Sequence, residues 1–141
     1  MQFIPSNEIK VSVLPEQRPW VCSPDMIRRM VQREDTIAFD IWEEKQLVGF
    51  AMLRKFQEGE WFLWEYMIAG EQQGRGYGRK ALRELIRLMK TQYGMHTMTT
   101  TYIWGHAVAA RLYESLGFEQ TDVVDEPDCH EVNMVLHCPQ E

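Results

Sequence analysis

The chain has 141 residues, 45% of them hydrophobic and 26% charged, which fits one soluble globular domain spanning 1–141 with a core of its own. A net charge of −6 argues against nucleic acid as the main partner, because phosphate backbones need a basic stripe. No run of about 18 apolar residues offers a membrane span, and the N-terminus has no basic-then-apolar segment, so neither a membrane nor a secretory signal is expected.

Residues 8–14 are ambiguous: Ile9, Val11 and Val13 alternate like a strand, while Ser6 and Asn7 would suit the cap of a short helix. Residues 24–33 suit a helix, with Ser23 as N-cap and Pro24 at its first position. Residues 36–42 place Ile37, Phe39 and Ile41 on one side, which predicts a strand. The polar Glu43-Glu44-Lys45 suits a turn, and 46–54 returns as the second strand of a hairpin. Gln57-Glu58-Gly59-Glu60 suits another turn before an aromatic-rich third strand over 61–68. The period then changes. Leu82, Leu85, Ile86 and Met89 make an amphipathic helix. Residues 96–104 are again strand-like. Ala109, Leu112, Tyr113 and Leu116 form a last helix, ended by Gly117 with Phe118 beyond it. Two strands, 118–124 and 130–137, flank a turn at Asp125-Glu126-Pro127-Asp128. The order β-β-β-α-β-α-β-β predicts a mixed α/β domain.

Cys22, Cys129 and Cys138 are an odd, sparse set with no C-x-x-C pair, which suits a reducing, cytoplasmic setting. His130 and His137 lie near two of them at no zinc-ligand spacing, so no metal is expected.

Chemistry concentrates in Gln73-Gly74-Arg75-Gly76-Tyr77-Gly78-Arg79-Lys80, between a strand and a helix. Three alternate glycines let a backbone approach a ligand closely. Their N–H groups, at the positive end of a helix and beside three cationic side chains, would cradle a diphosphate; a plain glycine-rich turn is the alternative. A nucleotide P-loop would need Gly-Lys followed by Ser or Thr, and a dinucleotide fingerprint G-x-G-x-x-G; neither is present.

The segment resembles the acetyl-coenzyme A motif Q/R-x-x-G-x-G/A of the GNAT N-acetyltransferase superfamily, through Gln73, Gly76 and Gly78. Ala109-Ala110-Arg111-Leu112-Tyr113-Glu114-Ser115-Leu116-Gly117-Phe118 is similar to that family's A-x-x-L-Y-E-x-L-G-F segment. Within the superfamily the look is of bacterial polyamine acetyltransferases, through residues 47–52 and 73–78, Glu16-Gln17, Trp20-Val21 and Ser23. The resemblance implies a GNAT fold: a central mixed, twisted sheet of about six to seven strands flanked by helices. Residues 7–13 would then be a helix, with the first strand missing or confined to the first few residues.

It also implies acetyl-CoA as cosubstrate and an amine, a polyamine first, attacking the thioester directly in a ternary complex. Tyr113 matches the family's general acid. Glu65, mid-strand, is the best base candidate, with a water chain as alternative. The backbone of Met67, Ile68 and Ala69 would pair with the pantetheine arm, and Gln73 through Lys80 would hold the diphosphate. His106 stands where the family commonly has a cofactor-contacting Asn; it could donate a hydrogen bond or titrate near neutral pH. The carboxylates Asp122, Asp125, Glu126, Asp128 and Glu131 would draw a polycation, although a solvated hairpin is the favoured reading. Of Trp20, Trp42, Trp61, Trp64 and Trp104, most are expected in the core, and some would suit an amine site. Homodimers are common in that family, but no residue here specifies one. The competing functions are acetylation of a protein lysine or N-terminus, and non-catalytic acyl-CoA sensing.

Overall fold

A computed structural model describes residues 1–11, 23–127 and 129–138. Its elements in chain order are β1 (Gln2–Pro5), α1 (Pro24–Met30), β2 (Thr36–Glu43), β3 (Gln46–Gln57), β4 (Glu60–Ile68), α2 (Tyr77–Tyr93), β5 (Thr97–Ile103), α3 (Ala107–Ser115), β6 (Glu119–Glu126) and β7 (Cys129–His137). The strands form one mixed sheet in the order β1-β2-β3-β4-β5-β7-β6, parallel between β4 and β5 and antiparallel elsewhere. The predicted order and the GNAT fold are therefore present, with the first strand reduced to four residues.

Alternation along the strands builds a core on each sheet face. On one face, Leu63, Met98, Val132 and Met134 pack with Leu82, Leu85 and Met89 of α2 and Tyr113 of α3. On the other, Ala38, Phe50, Met52 and Met67 pack around Ile27, the buried residue of α1. The stripe that predicted α2 is thus its buried face. Gly94, at φ +64°, ends α2 by donating its N–H to the Met89 carbonyl.

Three expectations are corrected. The helix expected over 24–33 stops at Met30; Arg33 instead pairs with Asp35 as the chain turns into β2. The capping at its start is as predicted, Ser23 Oγ accepting from the Met26 N–H. The ambiguous N-terminal stretch is neither helix nor strand over Asn7–Val11. Ser6 Oγ donates to the Glu8 carbonyl and accepts from its N–H, a local turn that competes with regular structure. Lys10 reaches Asp40 at 2.7 Å. Residues 12–14 of that stretch, Glu16, Gln17, Trp20, Val21, Cys22 and Asp128 lie outside the described residues. Finally, Asp125 and Glu126 belong to β6 rather than to the turn, facing His130 and Cys129 across the hairpin. Among the described residues no helix is long and apolar enough to cross a membrane.

Candidate active site

The site begins with a fault in the sheet. β4 and β5 pair only from Glu60↔Thr97 to Leu63↔Thr100. Thr100 Oγ1 donates to the Leu63 carbonyl at 3.1 Å, closing the last stitch. Beyond it β5 continues alongside β7, and β4 alongside β3, but the two part from each other. At the same point the β3–β4 register shifts, with Met52 opposite Glu65 and Leu53 opposite Leu63. Trp64 is the extra residue of a bulge, and bulges bend a strand and end pairing. A cleft of about 790 Å³ opens where the strands diverge.

The bulge also decides which side chains meet. Met52 belongs to the core under α1, so its partner Glu65 is on that face. Tyr66, next along, turns to the opposite face and packs against the core under α2 and α3. Tyr113 reaches the cleft from α3 on that second side. The cleft therefore runs through the sheet, with Glu65 on one face and Tyr113 on the other, and both line it. Both are 8% exposed.

Burial pushes the Tyr113 hydroxyl up to about 12; the Thr100 hydroxyl bonded to it acts the other way, and the Glu65 charge adds to the rise. Tyr113 therefore keeps its proton at neutral pH. Its ring packs against Phe118 and Tyr102, at centroid distances of 5.3 and 6.3 Å.

At the open end of β4 the chain makes one 3-10 turn, Gly70–Gln72, and enters the glycine loop. Gly74 and Gly76 have φ of +81° and +79°, where an L side chain is strained even though a Cβ would meet nothing. Gly76 caps α2. Gly78 has ordinary φ, and a Cβ there would rest 3.8 Å from Ile68, an ordinary contact. The Tyr66 hydroxyl donates to the Gly78 carbonyl at 2.6 Å and ties the first turn of α2 to β4; burial raises its pKa and keeps it a donor. Gly76→Ala is expected to lower stability by about 1–2 kcal/mol, while Gly78→Ala is neutral or slightly stabilising, as urea denaturation of the two variants would show.

The structure brings Glu65, Met67, Ile68, Gln73, Gly74, Gly76, Tyr77, Gly78, His106 and Tyr113 to this one cleft. It does not bring the other four expected residues to its lining. Ala69 N–H donates to the Val48 carbonyl at 2.8 Å, so that group is committed to β3. Lys80 pairs with Glu43 at 2.6 Å, toward the β2 side. Arg79 lies along α2 toward Ser115, whose carbonyl accepts from it at 3.5 Å. Arg75 is exposed on the loop. The Gln73 side chain folds back to donate to the Ile68 carbonyl at 3.0 Å. His106 is the N-cap residue of α3, and burial lowers its pKa, which favours the neutral imidazole.

Phe62, Trp64, Thr101 and Glu131 also line the cleft. The sequence marked Trp64 only as one of several aromatics and Glu131 only as part of a charged hairpin. Gly49 had no structural reading; a Cβ there would stand 2.7 Å from the Met67 carbonyl, so the small residue lets β3 approach β4 beside the cleft. Trp61 is buried in the core under α2, and Trp104 is exposed. No group of three metal-ligating side chains occurs among the described residues.

A strand pair splayed at a bulge, a glycine loop capping the next helix and a buried tyrosine across the gap frame one cleft through the sheet. The model of the acetyltransferase (GNAT) family matches residues 8–118, and the chain belongs to that family. It is 30% identical over 92 residues to the spermine/spermidine N(1)-acetyltransferase of Bacillus subtilis. That match spans 60% of this chain and 60% of the relative. Among solved structures, a mutant of the spermidine N-acetyltransferase SpeG from Vibrio cholerae superposes with a TM-score of 0.70 at 19% identity, covering 82% of this chain and 75% of that one. The same enzyme in complex with CoA and spermine gives 0.67 at 18% identity, covering 82% and 76%. At such identity the likeness is one of fold.

Proposed function

We propose that this chain transfers an acetyl group from acetyl-CoA to a primary amine, a small polyamine first, by direct attack of the amine while both substrates are held in the cleft. The observation that carries this reading is the pairing of Glu65 and Tyr113 on opposite faces of one opening through the sheet. An acyl transfer to an amine needs a proton removed on the side where the amine enters and a hydrogen-bond donor on the side where the sulfur leaves.

The residues fit acetyl-CoA. The edge of β4 beyond Leu63 faces no strand of β5, so an extended pantetheine arm can take up its main-chain groups, as a strand would. The backbone of Met67 and Ile68 borders that gap, and Gly74 to Gly78 offer N–H groups at the start of α2 for the diphosphate. His106, the N-cap residue of α3, lines the cleft and is placed to share one hydrogen bond with the cofactor arm. When bound, acetyl-CoA supplies an activated thioester. Glu65 draws the ammonium form of the acceptor into the cleft and takes its proton, directly or through water. Tyr113 donates to the sulfur as negative charge grows there. Trp64 and Phe62 give one side of the cleft an apolar, aromatic wall. The polyamine acetyltransferases among its relatives support that class of acceptor.

The test pairs calorimetric titration of CoA with mass-spectrometric detection of N-acetyl product from spermidine, spermine, amino acids and a lysine peptide. Micromolar CoA binding with acetylated polyamine is the expected result. Acetylated peptide alone would replace the acceptor with a protein amine. CoA binding with no product from any amine would leave only acyl-CoA sensing.

A further inference from the structure

Glu131 and Glu65 face the same opening from its two sides. Glu131 pairs with Ile103, and their neighbours Val132 and Tyr102 pack on the α2 side, so Glu131 and Ile103 are on the α1 face with Glu65. The parallel register, Leu63 beside Thr100, brings the end of β5 level with the segment of β4 around Glu65. From β4 across β5 to β7 is two strand spacings, each about 4.8 Å, so the two carboxylates stand roughly 10 Å or more apart. Glu131 is half-buried and lines the cleft. Beside it on the same face, Thr101 Oγ1 donates to Asn133 Oδ1 at 2.6 Å, and Asn133 Nδ2 donates to Asp122 at 3.2 Å, which adds a further carboxylate in that direction.

The opposite wall carries the other sign. The Arg33 and Arg54 guanidiniums lie 5.9 and 5.7 Å from the centroid of the Trp64 ring. They share one carboxylate, Asp35, at 3.1 and 2.9 Å, so two positive charges meet one negative. A cationic chain whose first nitrogen is at Glu65 is repelled along Trp64 and drawn across β5 toward β7.

We propose that Glu131 is a specificity-determining residue: it holds the second ammonium of a diamine or polyamine whose reacting nitrogen sits at Glu65. This rests on the amine acetyltransferase reading above. It makes the acceptor preference a matter of charge spacing, since a monoamine fills only the Glu65 end. A half-buried carboxylate on an ammonium gains more than an exposed pair, so its loss is expected to be measurable.

Steady-state acetylation of diaminobutane, spermidine and butylamine by wild type and by Glu131→Gln tests it. The expected result is a KM raised about tenfold for the two polycationic amines, with kcat nearly unchanged and the butylamine KM moved less than about twofold. Glu119→Gln removes the same charge from β6 outside the cleft and is expected to move none of the three KM values. A ratio of diamine to monoamine KM that Glu131→Gln leaves unchanged overturns the proposal while the acetyltransferase reading stands. Wild type that acetylates none of the three removes that reading and this proposal together.

Discussion

Tyr113→Phe is expected to lower kcat by about 10²–10³-fold with little change in CoA affinity. Phenylalanine keeps the ring against Phe118 and Tyr102, so packing survives and only the hydroxyl is lost. The size of the effect follows from what that hydroxyl can do. Its pKa is pushed up to about 12, whereas a thiol titrates near 8.5. Handing the proton fully to a thiolate would be uphill by about 5 kcal/mol, at 1.36 kcal/mol per unit. In the proposed reaction Tyr113 therefore acts as a hydrogen-bond donor to the sulfur as charge develops on it, rather than as a full proton donor. Buried donors of that kind contribute about 3–4 kcal/mol to a transition state. A second consequence concerns pH. A tyrosine that titrates near 12 does not ionise in the range where such an enzyme is assayed. The pH profile of Tyr113→Phe should then lie below the wild-type profile with the same shape. A variant that lost an alkaline limb instead would mean that Tyr113 ionises during turnover. Unchanged kcat would remove the hydroxyl from the chemistry.

Glu65→Gln is the complementary test, and its effect should depend on pH. An alkyl amine has a pKa near that of lysine, about 10.4, so at pH 7 only about one molecule in 2,500 is the neutral nucleophile. Glu65 is buried in the bulged segment of β4, on the α1 face of the cleft. It is placed to attract the abundant ammonium form and accept its proton. Glutamine is nearly isosteric but can do neither. A fall in kcat/KM of about 10²-fold is expected near pH 7. The deficit should shrink as pH rises, because solvent then supplies the neutral amine and the variant gains close to tenfold per pH unit. A deficit that stays constant from pH 7 to pH 9 would assign Glu65 to structure rather than to proton removal. No deficit would move the base to another group or to water.

Much of this site was legible in the chain, for identifiable reasons. The glycine loop and the Ala109–Phe118 helix are local patterns: positive φ demands glycine at 74 and 76, and the helical repeat places Tyr113 beside Leu112 and Leu116. Those features need no knowledge of what lies across the sheet. The splay of β4 from β5 does need it. It depends on a bulge at Trp64, set by pairing with β3 and by the Thr100 to Leu63 bond across 37 residues of sequence. No periodicity in residues 61–68 announces it. Yet it decides that Glu65 and Tyr66 turn to different faces, so the Tyr66 hydroxyl ends on Gly78 and Glu65 in the cleft.

Charge was the least legible property. Arg75, Arg79 and Lys80 look alike beside three glycines, but Lys80 is bound by Glu43, a partner 37 residues away, and Arg79 follows α2 toward Ser115. The converse holds for Glu131. In the sequence it is one acid among several near a hairpin, and only the register Ile103↔Glu131 brings it to the cleft. Over Asn7–Val11, the described part of the ambiguous N-terminal stretch, neither alternative holds, because a serine turn at Ser6 and the Lys10–Asp40 pair hold the chain in an irregular path.

The measurement that bears most directly on the whole account is release of free CoA thiol from acetyl-CoA by the purified protein, with and without added amine. The account predicts slow release alone and a rate that rises and saturates with spermidine, accompanied by one acetylated amine per thiol. Tight binding of acetyl-CoA with a rate that no amine increases would contradict it.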